Sequence, residues 1–206
     1  MTDADVKARG KREETKASNR QAIVDAARRV FAELGYGATT VRDIIRATDL
    51  ASGTFYNYFK SKEEVFQALQ DETALRVRPR LRAERIRART FEAFISGSFH
   101  TFFDFVRHDQ DTFATMRQNQ DNFHVRIDTP EVLAGFDELR TDLEAAIRSG
   151  VMPDTDPDLL MATMVGVAFE IAGQLVQRKD LSVDDAAAFA TALFLGGVQA
   201  LPRQRR

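Results

Sequence analysis

The chain contains no cysteine, which excludes disulfides, thiolate nucleophiles and cysteine-ligated metals and agrees with a reducing, cytoplasmic setting. It has no uninterrupted apolar run of the roughly 18 residues that a membrane-spanning helix needs. Its opening stretch, MTDADVKARGKREETKASNR, is polar and charged where a secretory signal would be apolar. A soluble protein with no membrane partner is expected. Glycine-rich phosphate loops and HExxH pairs are also missing, so two common enzyme signatures are absent and no cofactor is implied. Sustained alternation of β-branched residues between turn signals is lacking too, and the fold class is therefore expected to be all-α.

What the sequence does have is enough apolar material for a core, 44% of 206 residues, and an uneven charge. The net charge is only −2, but residues 1–62 carry 12 Lys and Arg against 8 Asp and Glu, and residues 63–206 carry 17 against 23. A basic head on an acidic body suits a protein in which only the head meets phosphate.

Residues 1–17 show no apolar periodicity and read as a flexible basic arm. Ile23, Ala26, Ala27, Val30, Phe31 and Leu34 then recur at helical spacing until Gly35. A second helix follows, capped by Thr39 or Thr40, with Asp43 in its first turn and Val41, Ile44 and Ile45 on its buried side. A third begins near Ala51 or Ser52, and SKEE at Ser61–Glu64 has the form of a capping box that opens a fourth. Short second and third helices across a tight turn predict a helix-turn-helix unit over residues 18–62, in which the third helix enters the major groove. Phe55 and Phe59, four apart, would face the core, leaving Ser52, Thr54, Tyr56, Asn57 and Tyr58 on or near the outer side beside Lys60 and Lys62. Gly53 weakens a helix but lets a backbone approach closely.

The run from Arg20 to Leu69 combines AAxxxFxExGY, TTVxxI and GTFYxYFxSKEE. Together these resemble the N-terminal domain of TetR/AcrR-type transcriptional regulators, over about a quarter of the chain. The resemblance implies base-edge contact near Ser52, Gly53 and Asn57, and phosphate contact from Thr40, Thr54, Tyr56, Tyr58 and Lys62. Two positions depart from the usual pattern: Asp49 stands where the turn is usually glycine, and Ala51 where serine or threonine usually caps the third helix. Aspartate tolerates the left-handed conformation better than most residues, so the turn is expected to survive.

Beyond residue 62 the reading rests on pattern, and residues 63–206 are expected to form a helical effector-binding and dimerisation domain. The fourth helix should end near Val77, before Pro79. The arginines at 76, 78, 80, 82, 85, 87 and 89 are too dispersed around a helix for one nucleic-acid stripe and read as an ion-paired surface, with an anionic ligand or partner as the other reading. A fifth helix spans Thr90–Asp109. Nine of the sixteen phenylalanines fall between residues 91 and 136; they read either as core or as the wall of an apolar effector pocket, for which Phe99, Phe102, Phe103, Met116, Phe123, Met164 and Phe169 are the candidates. His100, Asp104, His108 and Asp111 fall at i, i+4, i+8 and i+11, a stripe that could hold a metal, form the polar end of the pocket or simply face solvent. Asp156 with Pro157, and Ser182, cap two long apolar helices, Pro157–Arg178 and Val183–Leu201. The first is apolar on more than one face and the second carries Gly196-Gly197. Ala168, Leu175, Phe189, Leu193, Gly196 and Gly197 are expected at a four-helix interface between two copies, as the resemblance also implies.

The function expected from these features is a homodimeric DNA-binding regulator, a repressor that reads a palindromic double-stranded operator and is released by a small, largely apolar effector. The rival is a metal-dependent enzyme or metal sensor using the His-Asp stripe.

Overall fold

The computed structural model describes residues 3–118 and 129–201, without the side chains of residues 3–9, 115, 116 and 118. Among the described residues it contains nine helices and no strand, as an all-α fold requires. Two compact units divide inside α4, between Gln70 and Asp71, and residues 114–118 group with the first.

The first unit holds α1 (Asp3–Leu34), α2 (Val41–Arg46), α3 (Ser52–Tyr56) and the start of α4 (Lys62–Arg87). The expected flexible arm is helical instead: α1 begins at Asp3, and residues 10–18 are exposed along it. This stretch is rich in Lys, Arg, Glu and Ala, which are strong helix formers, so local propensity supports a helix whose residues 10–18 are exposed. Gly35 ends α1 at φ 78°, its amide bonding to Phe31 O at 2.9 Å, a left-handed cap that favours glycine. Asp49 does not use that conformation, since no described residue other than glycine has positive φ; the turn between α2 and α3 is instead held by Thr48, whose Oγ1 donates to Ile45 O at 2.8 Å and accepts from the Leu50 amide at 3.2 Å. Ile23, Ala27 and Phe31 of α1, Ile44 of α2, Phe55, Phe59, and Val65 and Phe66 of α4 form one buried cluster, with Val41, Ile45 and Leu50 against it. Each fully buried Phe contributes roughly 1.5–3 kcal/mol.

The capping box at Ser61 forms as read in one half, while its reciprocal bond reaches one residue further back. Ser61 Oγ accepts from the Glu64 amide at 3.4 Å, while the Glu64 carboxylate accepts from the Lys60 amide at 2.7 Å. Nor does α4 stop before Pro79, which lies inside it. Proline removes the bond to the Leu75 carbonyl, but Leu75 and Pro79 are both exposed, so water can solvate the freed carbonyl.

The second unit combines the rest of α4 with α5 (Phe91–His108), α7 (Pro130–Arg148), α8 (Pro157–Gln177) and α9 (Val183–Gln199). Thr90, Asp156 and Ser182 cap α5, α8 and α9 through their side-chain oxygens, the latter two as read from the sequence. A Cβ at Gly97 would come within 2.6 Å of Glu84 Oε2, so the Glu84 carboxylate lies against this glycine and a side chain there would displace it. Four arginines of the cluster are ion-paired: Arg76 to Asp109, Arg78 to Glu131 and Glu138, Arg85 to Glu138 and Asp142, and Arg87 to Glu84. The pairs of Arg78 and Arg85 join α4 to α7.

Candidate nucleic-acid interface

Six residues make a poor helix unaided, and α2 depends on its first turn. Thr40 Oγ1 accepts from the Asp43 amide at 3.3 Å, the Thr40 amide donates to Asp43 Oδ2 at 3.0 Å, and the Thr40 hydroxyl donates to the same oxygen at 2.5 Å. These bonds, led by the Thr40 hydroxyl, hold the Asp43 carboxyl below its ordinary range. Arg29 Nη2 donates to Ala47 O at 3.3 Å, satisfying the other end of α2. Ala51 gives α3 no side-chain cap, as its departure from the usual residue implied.

The third helix divides along its length. Phe55 and Phe59 are buried, 1% and 4% exposed. Ser52, Gly53, Asn57 and Lys60 are exposed, and Tyr56 is 59% exposed, its ring edge-on to Phe55. A Cβ at Gly53 would meet nothing within 4 Å, so no packing inside the chain calls for glycine. Thr40 is exposed at the start of α2, and Thr54 is half-buried.

Two expected outward groups are turned inward. Tyr58 is half-buried against the head cluster, and its hydroxyl accepts from Asn19 Nδ2 at 3.5 Å. Lys62 donates from Nζ to the carbonyls of Tyr36 at 2.7 Å, Gly37 at 3.3 Å and Thr39 at 2.8 Å, and lies over the Tyr36 ring at 4.5 Å. An ammonium has three N–H groups, so the expected phosphate donor is already engaged. Tyr36 in turn donates to Glu63 Oε1 at 3.0 Å. Burial first, then this bond to the carboxylate, raises the Tyr36 hydroxyl well above the ordinary phenol range, and Glu63 sits below its own. Arg20, which the sequence reading did not single out, stacks over Phe59 at 5.2 Å; a contact between residues so far apart in sequence leaves no local signal.

The body's expected sites fare unevenly. Phe99, Phe103 and Met164 are buried, and Phe102, Phe113 and Phe169 form a three-ring cluster at 5.4–6.4 Å, an arrangement of core packing. Phe123 and the side chain of Met116 lie outside the described residues. An open cleft of about 460 Å³ lies elsewhere, between α7 and the start of α8, lined by Arg140, Glu144, Arg148, Asp154 and Asp158 among others. It is charged rather than apolar, and Arg140 pairs within it to Glu144 and Asp158.

The His-Asp stripe is broken: α5 ends at His108, and Asp111 belongs to α6 (Gln110–Gln118). His100 lies 3.0 Å from Asp184 of α9, and His108 Nδ1 lies 2.8 Å from the Asp104 carbonyl. Among the described residues no group of three or more His, Asp or Glu could hold a metal. Of the expected interface residues, Phe189 and Leu193 are 63% and 52% exposed, Gly196 and Gly197 are exposed with open space beside them, and Ala168 is half-buried. Leu175 is corrected: it is fully buried in its own chain's core.

An all-α chain with two short helices across a tight turn, cored by Phe55 and Phe59 and bare on the outer side of the second, is a helix-turn-helix protein. The family model described as "Bacterial regulatory proteins, tetR family" matches residues 23–69. An uncharacterised HTH-type transcriptional regulator of Haemophilus influenzae is 31% identical over 50% of this chain and 51% of its own length. The HTH-type transcriptional repressor AcnR of Corynebacterium efficiens is 43% identical over 29% of this chain and 32% of its own. The chain thus spans a third to a half of the length of these curated relatives. A solved structure of the fatty acid degradation regulator FadR from Bacillus halodurans superposes with a TM-score of 0.76 at 26% identity, covering 88% of this chain and 96% of that one. Residues 23–69 thus match the tetR-family model, and the described chain shares the fold of the FadR structure.

Proposed function

We propose that the protein is a DNA-binding transcriptional repressor that reads a palindromic operator as a homodimer and is released by a small apolar effector. The observation that carries the reading is the outer side of α3 and its C-cap: a mostly exposed tyrosine, an asparagine, a serine and a glycine without internal purpose, beside the buried Phe55 and Phe59. In this reading Ser52, Gly53 and Asn57 meet base edges, while Thr40, Thr54, Tyr56 and Lys60 meet phosphates. Two such heads about one DNA turn apart, roughly 34 Å, would match two half-sites.

Pairing of copies would use α8 and α9. The helix Pro157–Gln177 is long and apolar enough to cross a membrane by length and composition, yet only 28% of its most apolar window is buried within the chain. Beside it α9 presents Phe189, Leu193, Gly196 and Gly197. A second copy would cover such surfaces and bring four helices together. The effector is placed in the lipophilic class because the body is rich in phenylalanine and because a similar solved structure is a fatty acid degradation regulator. Thermal melts against fatty acids, acyl thioesters, drugs and dyes would find it by stabilisation.

The direct test uses Tyr56→Ala and a duplex that the wild-type protein selects from a random-sequence library. Affinity should fall about tenfold or more, with sedimentation unchanged. Equal affinity and equal salt dependence in the variant would remove α3 from the interface.

A further inference from the structure

We infer that Lys62 is a positioning residue, acting on DNA through Thr40 and not by touching phosphate itself. Its ammonium lies where the chain turns between α1 and α2, and the carbonyls of Tyr36, Gly37 and Thr39 converge on it at 2.7, 3.3 and 2.8 Å. The Tyr36 ring covers it at 4.5 Å. The turn is already shaped at its other end, where Gly35 O accepts from the Thr39 amide at 3.2 Å and from the Thr39 hydroxyl at 2.8 Å. The third carbonyl on the ammonium belongs to Thr39, one residue before the exposed N-cap of α2. Lys62 is also the first residue of α4, and Tyr36 donates to its neighbour Glu63. The side chain therefore fastens the start of α4 to the turn that aims Thr40.

The chemistry suits lysine specifically. Three carbonyl oxygens around one point match the three N–H groups of an ammonium. A guanidinium spreads its donors over a plane and cannot collect all three at one nitrogen. A phosphate contact has the opposite preference, since arginine serves a phosphate at least as well as lysine. Charge retention and carbonyl geometry can thus be separated by one substitution.

The assignment rests on the DNA-binding reading, and the test keeps their failures apart. Lys62→Met, Lys62→Arg, Lys60→Met and Tyr56→Ala are compared on the same selected duplex, at a temperature where circular dichroism finds each variant folded. Both Lys62 variants should bind about tenfold more weakly, with the slope of log affinity against log salt unchanged, and both should melt earlier. Lys60→Met, which removes an exposed cation, should lower that slope by about 0.9. Three results would overturn the assignment: a slope loss of about 0.9 for Lys62→Met with rescue by arginine, which makes it a phosphate contact; unchanged affinity in the folded Lys62 variants, which makes it a fold residue only; and a protein that selects no duplex, which removes the DNA reading and this role with it. If Lys60→Met and Tyr56→Ala alone have no effect, the interface is elsewhere on the head.

Discussion

Replacing Glu138 by glutamine should weaken the body in a way that acid erases. Glu138 Oε1 accepts from Arg78 Nε at 3.0 Å and Nη2 at 2.8 Å, and Oε2 accepts from Arg85 Nη2 at 3.1 Å. The Glu138 side chain is 24% exposed and those of both arginines 27%. Fully exposed pairs contribute about 0–1 kcal/mol, whereas breaking a buried pair costs about 3–5. With a quarter of the site open to water and one acceptor kept by glutamine, the expected loss is about 1–2 kcal/mol, or roughly 2–8 °C in Tm. Burial pushes the Glu138 carboxyl up, but the bonds from Arg78 and Arg85 outweigh it and hold the group below its ordinary value of 4.5. A carboxyl depressed in the folded state contributes in full above its unfolded pKa and is lost as pH falls through the folded one. Asp142 has the opposite sign: burial raises it, and the Glu138 charge adds to the rise against Arg85, so protonating it on acidification relieves the fold. Urea titrations of both proteins between about pH 7 and pH 3 separate these effects. The gap between wild type and variant should hold near neutrality and close below the ordinary carboxylate range. A gap as wide at the acid end as at neutrality would mean that glutamine acts through packing or α7 propensity and not through charge.

Phe103→Ala removes a fully buried ring stacked on Phe99 at 5.9 Å, and should cost about 3–5 kcal/mol in urea titration; a near-zero cost would place that ring at a cavity wall with room to spare. Thr40→Ala deletes the α2 cap and should lower stability by about 1 kcal/mol, read from the melt, while Asp43 returns toward its ordinary pKa by NMR titration. Phe189→Glu with Leu193→Glu places two charges on the exposed side of α9. Sedimentation should then report monomers of unchanged helicity, and a persistent dimer would move the pairing surface off this helix.

The head was largely legible because its signals are local. Thr40 three residues before Asp43, Phe55 four before Phe59, and Gly35 after a periodic run each act within one or two turns of helix, and the structure uses all three. Where the reading failed, the deciding interaction was absent or distant. Residues 10–17 are exposed and give periodicity nothing to register, yet they are helical, as their propensity favours. Pro79 lies in an exposed stretch where water can reach the carbonyl it strands, and the exposure of Leu75 is not legible from its own sequence neighbourhood. Lys62 was expected to donate to phosphate because the family resemblance implied it; its carbonyl partners are 23 to 26 residues away in sequence and leave no local signal.

The body exposes a deeper limit, which α8 and α9 share. In α8 the apolar residues surround the helix, so periodicity carries no sidedness and cannot separate the face toward the chain's own core from the face left for a partner. That is why Leu175 was placed outward although it is fully buried, whereas Phe189 and Leu193, also placed outward, are exposed on α9, where a polar first turn and buried Ala186, Ala187, Ala190 and Phe194 define an inner side. Small residues on that inner side let α9 lie close to α5, where Phe99 meets Phe194 edge-on at 6.3 Å. The large side chains at 189 and 193 are thereby left on the opposite side. Helix α9 thus buries Phe194, Val198 and three alanines in its own chain's core while leaving Phe189 and Leu193 bare, and that bare side is the surface the proposed second copy would bury.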